Sequence, residues 1–229
     1  MNDAFDADFD RQHRSQRPIP SGAISEKKVL EWGFVWLVLG ASSLVWMGTM
    51  TAIFTAFLIG CILIYDAIHK VFPLAPGLMA GCRFFLYLVA ASAARDEISG
   101  LVVWSALVLA AYIFGLSYLA RKESTRAPLR HWPMLFLAAP VALALLINDD
   151  SYRENGLVLS VVVIVWMWWC LRQTLWNPHP NIGYTVSRFL AGITLIDLLA
   201  VADLSQPMVL WFLIWFVLAL LFQRFIPAT

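Results

Sequence analysis

The chain has 229 residues, 61% of them hydrophobic and only 14% charged, with a formal net charge of +1 and a mean hydropathy of +0.74. Soluble domains carry about 25% charged residues, so the composition excludes an ordinary water-soluble globule, and the near-neutral balance gives no electrostatic case for a nucleic-acid partner. Cys61, Cys82 and Cys170 all lie in apolar segments without metal-ligand spacing or a secreted disulfide pattern, and read as small buried hydrophobes.

In chain order, residues 1–29 form the one long polar stretch. It lacks the pattern of a cleaved signal peptide, so insertion is expected through the internal helices. Apolar segments follow near 30–48, 51–68, 76–94, 99–120, 131–147, 157–176, 183–203 and 207–226. Lipid leaves no partner for unpaired backbone groups, so each reads as a helix. The expected fold is all-α, a polytopic transmembrane bundle of about eight helices. Residues 1–29 are expected to be a cytoplasmic aspartate-rich motif and linker, and 30–229 a single bundle domain. The seventh segment carries Arg188, Asp197 and Asp203 and is expected to be tilted, broken or partly interfacial. Proline marks the breaks at Pro73, Pro76, Pro128, Pro133, Pro178, Pro180 and Pro207.

Lysine and arginine sort by side. Arg11, Arg14, Arg17, Lys27, Lys28, Lys70, Arg121, Lys122, Arg126, Arg130, Arg172 and Arg224 fall on the side of the N-terminus. Only Arg95 and Arg153 fall on the other. This predicts a multi-pass protein of the cell inner membrane with both termini cytoplasmic. Arg83 and Arg188 fall within helices, where a charge is costly. Each needs a partner on another helix or in an aqueous cavity. The many tryptophans, Trp166, Trp168 and Trp169 among them, read as belt and packing residues.

The chemistry sits at the front. Asp3, Asp6 and Asp10 are spaced i, i+3, i+7, which puts them on one face of a helix. Three carboxylates on one face repel unless a cation sits among them. Mg2+ prefers oxygen ligands and is often held by a few carboxylates together with substrate phosphates. Arg11, Arg14 and Arg17 follow closely and are placed to grip phosphate oxygens. Taken alone, the run also reads as a solvated acidic face followed by a basic anchor. Asp6 is then expected to be solvated when no metal is bound.

The run Asn2-Asp3-Ala4-Phe5-Asp6-Ala7-Asp8-Phe9-Asp10, with Arg17-Pro18-Ile19-Pro20-Ser21-Gly22 after it, resembles the first aspartate motif of the UbiA superfamily of membrane prenyltransferases. Asn2, Asp3, Asp6, Asp10, Arg17, Pro18, Ser21 and Gly22 match N-D-x-x-D-x-x-x-D and R-P-x-x-S-G. Tyr65-Asp66-Ala67-Ile68-His69-Lys70 resembles the tyrosine and lysine stretch that faces the diphosphate in that family. On spacing alone, Asp66 and Lys70 are i, i+4 and able to pair. Where a second motif D-x-x-x-D is expected, one acid stands, Glu123. The segments Gly81-Cys82-Arg83-Phe84-Phe85-Leu86-Tyr87 and Ala120-Arg121-Lys122-Glu123 are similar to the EboC-like branch. Family members carry two helices before the first motif, and this chain starts one residue before Asn2, so it is expected to lack them.

The resemblance implies a prenyltransferase of isoprenoid biosynthesis, moving an isoprenyl group from a diphosphate donor to a small cyclic or aromatic acceptor. Asp3, Asp6 and Asp10 would be catalytic. Asn2, Arg17, Tyr65 and Lys70 would bind the diphosphate. Mg2+ would be held by Asn2, Asp3, Asp6, Asp10 and Glu123. The alternative is a non-catalytic homologue that binds or helps transport a lipid-like metabolite, favoured by the reduced second motif.

Overall fold

The computed structural model describes residues 1–70, 72–94, 98–125, 132–146, 150–175, 181–201, 206–223 and 225, and every described element is helical. Two short helices open the chain, α1 (Asn2–Phe5) and α2 (Ala7–His13). Four longer ones follow: α3 (Glu26–Val45), α4 (Thr49–Ile68), α5 (Ala75–Ala94) and α6 (Gly100–Thr125). A 3-10 turn, Trp132–Ala138, leads into α7 (Ala139–Leu146). The chain continues through α8 (Asp150–Leu175), α9 (Ile182–Ala200) and α10 (Gln206–Phe222). Six helices are long and apolar enough to cross a bilayer, and Trp132–Leu146 and Pro207–Phe222 are shorter apolar helices. These correspond one to one with the eight expected segments. The protein is a multi-pass membrane protein.

The chain divides into two compact units, Met1–Val102 and Val103–Thr229. In the first, α4 packs on α3 and α5, while α1 packs on α3 and α4. Ser25 caps α3 by accepting from the Lys28 backbone N–H at 3.4 Å, which satisfies one of the free donors at a helix start. No residue of α3 is buried, and Trp32, Trp36 and Trp46 are exposed. Beyond its charged first turns, a helix this apolar and this little covered by protein belongs against lipid.

In the second unit α9 is the most enclosed of the candidate spans. Of the expectations that its charges raise, tilted, broken or partly interfacial, the break does not occur: the helix runs unbroken from Ile182 to Ala200. Its small and apolar residues, Ala191, Gly192, Leu195, Leu198 and Leu199, face protein. Asp203 lies outside the described residues. The Tyr112 hydroxyl of α6 donates to the Phe189 carbonyl at 2.9 Å. Thr185 Oγ1 donates to the Cys170 carbonyl at 3.2 Å, joining α9 to α8. At Gly192 a Cβ would fall 2.9 Å from Trp166 Nε1 and 3.0 Å from the Tyr112 hydroxyl. Only a glycine lets these helices approach so closely.

Candidate functional site

The site begins with why residues 2–13 fold back on the bundle. α1 and α2 are nearly one helix: the Asp6 N–H donates to Asn2 O at 2.9 Å, Asp10 N–H to Asp6 O at 2.9 Å and Arg14 N–H to Asp10 O at 2.7 Å. One side of this turn-broken helix carries Ala4 and Ala7, 4% and 2% exposed. With Ile19 they form a small apolar cluster against Val29 and Leu30 at the start of α3. Alanine at i and i+3 allows close approach, and the neighbouring aspartates are drawn in with it.

The segment 17–22 then reverses the chain. Ser21 donates its backbone N–H to the Arg17 carbonyl at 2.9 Å and its hydroxyl to the Pro18 carbonyl at 3.1 Å. Gly22 takes φ +78°, a left-handed conformation that suits glycine. This turn returns Arg17 to the aspartates. Its Nη1 donates to Asp3 Oδ1 at 3.2 Å and to Asp10 Oδ2 at 3.0 Å, so one guanidinium nitrogen bridges two of the three motif carboxylates.

The third carboxylate, Asp6, meets the end of α4. Lys70 Nζ lies 2.7 Å from Asp6 Oδ1, and His69 Nε2 lies 3.5 Å from the same oxygen. The ammonium is close enough for an ion pair, yet it does not meet hydrogen-bond geometry, and Asp6 Oδ1 is buried without a hydrogen bond. Attraction between charges is what holds it. Lys70 also stands 4.4 Å over the Phe9 ring, a cation–π contact that fixes the ammonium's approach. His69 Nδ1 lies 3.1 Å from the Tyr65 carbonyl oxygen, and its ring stacks on Tyr65 at 5.0 Å between centroids.

The structure therefore brings together Asp3, Asp6, Asp10, Arg17, Tyr65 and Lys70 near one end of α4. Asn2 is in the first turn of α1 and exposed. Glu123 lies in the last turn of α6, and its side chain is outside the described residues. Two expectations are corrected. Asp6 is not solvated: it is 8% exposed, because Ala4 and Ala7 seat its helix against the bundle and Lys70 compensates its charge. Lys70 pairs with Asp6 rather than with Asp66, its neighbour one turn back. Arg11 points elsewhere, to Asp8 and to Glu26 at 2.9 Å. The Glu26 hydrogen bond, followed by the two carboxylate charges, holds its pKa above the ordinary arginine value.

Sequence reasoning missed His69 and Phe9. The stacking of Tyr65 on His69 is an i, i+4 relation that the sequence displays, and it was the available signal for the histidine. Nothing local marks Phe9, which meets Lys70 only through the fold.

A small open pocket of about 50 Å³ lies beside the bridge, lined in part by Asp3, Asp10, Arg17 and Ile19. That is room for an ion with a water or two, and not for an isoprenyl chain. Among the described residues no three acids, histidines or cysteines are grouped closely enough to hold a metal ion as they stand. The donor set is nevertheless of the right kind: all three motif side chains are hard carboxylate oxygens, and Asp6 Oδ1 is a buried acceptor with no hydrogen bond.

Comparison with known proteins gives two matches. The family model described as the UbiA prenyltransferase family matches residues 1–217. The match is to the family as a whole and does not separate its branches. The chain is also similar to a digeranylgeranylglyceryl phosphate synthase of Methanoregula boonei (strain DSM 21154 / JCM 14090 / 6A8), at 50% identity over 40 residues. That stretch is 18% of this chain and 14% of the relative's length. No solved structure matches.

Proposed function

The chain belongs to the UbiA prenyltransferase family, and on that footing we propose that it moves an isoprenyl group from a diphosphate donor to a small cyclic or aromatic acceptor, with Mg2+ as cofactor. The observation that carries the reading is the gathering of Asp3, Asp6 and Asp10 with Arg17 and Lys70 at one end of α4. Asp3, Asp6 and Asp10, with Asn2 in the same segment, would hold the metal. Bound there, Mg2+ supplies positive charge that stabilises the departing diphosphate.

The chain's own residues do the rest. Arg17 and Lys70 are the cations on the motif carboxylates, and they are the groups in reach of phosphate oxygens. Arg17 suits this role because its planar donors match oxyanions two at a time. The Phe9 ring steadies Lys70, while His69 and Tyr65 brace the α4 end on which Lys70 is carried. The apolar helices supply a water-poor surface for the isoprenyl chain, which protects a reactive allylic centre from hydrolysis.

The lone Glu123 favours a second reading, a non-catalytic homologue that binds or helps transport a lipid-like metabolite. One experiment separates the two. The detergent-purified protein is titrated with an isoprenyl diphosphate, with Mg2+ and with chelator, and diphosphate release is followed with candidate acceptors. Tighter binding with Mg2+ and release of diphosphate support the transferase. Mg2+-dependent binding without release under any acceptor supports the binder, and binding indifferent to metal defeats the Mg2+-diphosphate assignment.

We further assign residues 1–29 to the cytoplasm as a motif segment and 30–229 to the bundle, in the inner membrane, with both termini cytoplasmic. The distribution of lysine and arginine supports this orientation. Single cysteines placed at Ser124 and Ser151 are expected to label from opposite sides of intact cells. Labelling of both by a membrane-impermeant reagent added outside would defeat it.

A further inference from the structure

Among the described residues neither intramembrane arginine, Arg83 in α5 nor Arg188 in α9, has an anionic partner, and only Arg188 is held by aromatic rings. Arg188 lies in α9, where its guanidinium is clamped between the Trp169 and Tyr184 rings, 3.9 Å from each centroid. Among the described residues it makes no hydrogen bond and no ion pair, and its Nη1 is buried without a partner. Aromatic faces stabilise a cation but accept none of its five N–H groups in the plane. A guanidinium whose described neighbours are aromatic rings keeps its N–H groups for bonding, and these match the oxygens of a phosphate or carboxylate.

What lies around it indicates where such oxygens come from. On α8, Val158, Val161, Val162, Val165, Trp168 and Trp169 are 62%, 59%, 44%, 59%, 55% and 41% exposed. Their spacing follows one helical face. The stripe ends at Trp169, whose ring carries Arg188, and continues to the exposed Arg172, which stands 5.8 Å from the Trp168 ring. An apolar lane thus leads to two arginines, each resting on a tryptophan. Aromatic side chains of this kind gather at headgroup level, and basic sites between transmembrane helices take anionic headgroups. A soluble anion gains nothing from the lane, whereas a lipid covers it with an acyl chain.

We propose that the α8–α9 pair binds an anionic phospholipid, its headgroup phosphate on Arg188 and Arg172 and one acyl chain along the α8 stripe. The site shares no residue with the aspartate motif and does not depend on prenyl transfer.

The test uses the full-length detergent-purified protein and native mass spectrometry with added phosphatidylglycerol or phosphatidylcholine of the same chains. Each basic residue near a headgroup favours an anionic lipid by roughly fivefold, so phosphatidylglycerol is expected to be retained at least about fivefold better. Arg188→Gln is expected to remove most of that preference with helicity unchanged. Should that variant fail to fold, the wild type decides: brominated phosphatidylglycerol is expected to quench tryptophan fluorescence more than brominated phosphatidylcholine at equal mole fraction. Equal retention or equal quenching of the two lipids by the wild type overturns the proposal. So does an undiminished preference in a folded Arg188→Gln protein. Displacement of the bound lipid by millimolar glycerol phosphate also overturns it, since the site would then be one for a soluble anion.

Discussion

Asp6→Asn is expected to weaken Mg2+-dependent binding of an isoprenyl diphosphate by at least about 10- to 100-fold, the range for losing a group that merely supports a metal ligand. Asparagine is the informative replacement because Asp6 is buried, and alanine would add a cavity to the loss of charge. The variant keeps the volume and one carbonyl oxygen facing Lys70. Lys70 is about a third exposed, at 35% of its side chain, so water can take over part of its solvation. The fold should survive at a cost within about 1 kcal/mol. Calorimetric titration with and without chelator reads the effect, and circular dichroism checks the fold. An affinity for diphosphate that responds to Mg2+ as strongly in the variant as in the wild type would mean that Asp6 serves the structure alone.

Arg17→Ala is expected to act on the motif segment itself. Asp10 has a side chain only 3% exposed, and Arg17 is the cation on it. Removing one partner of a buried pair costs about 3–5 kcal/mol. Arg17 is 31% exposed, so water already screens part of the attraction, and about 2–3 kcal/mol is the fairer expectation. The loss should appear locally, as faster amide exchange over residues 2–13, because α1 and α2 are held otherwise by only a small apolar cluster. Added Mg2+ should restore much of the protection by supplying the missing positive charge. Arg17→Lys should fall between, since it keeps the positive charge but carries it on a shorter, more strongly hydrated ammonium in place of the Nη1 that serves Asp3 and Asp10 together. Exchange rates over 2–13 that match the wild type would show that the bridge contributes nothing to seating the motif.

The two parts of the molecule differ in how far they can be read from sequence, and the reason is range. Bilayer crossing is a property of each segment alone, so the apolar runs at 51–68 and 76–94 reappear almost residue for residue as α4 and α5. The grouping of Asp3, Asp6 and Asp10 is likewise local, set by helical spacing. Burial of Asp6 is not local. It depends on Ala4 and Ala7 meeting the start of α3, and on Lys70 arriving from 64 positions along the chain. Spacing offered Asp66 as the partner of Lys70, and the fold supplied Asp6 instead. The integrity of α9 is hidden for a similar reason: Arg188, Asp197 and Asp203 allow a tilted, broken or interfacial segment, and only the fold brings two aromatic rings onto Arg188.

The 3-10 opening of Trp132–Leu146 has a consequence for the surrounding lipid. Seven residues at about 2.0 Å rise followed by eight at about 1.5 Å reach about 26 Å, where an all-α segment would reach only about 22 Å. α10, with 17 residues, also reaches about 26 Å. A hydrocarbon core is about 30 Å thick, so both fall roughly one helical residue per leaflet short. The tighter winding trades hydrogen-bond quality for reach. The remaining hydrophobic mismatch costs fractions of a kcal/mol per Å, and it is relieved by drawing the leaflets together around α7 and α10. Around α7 and α10, though not along the 26-residue α6 and α8, lipids with shorter chains would lessen that mismatch.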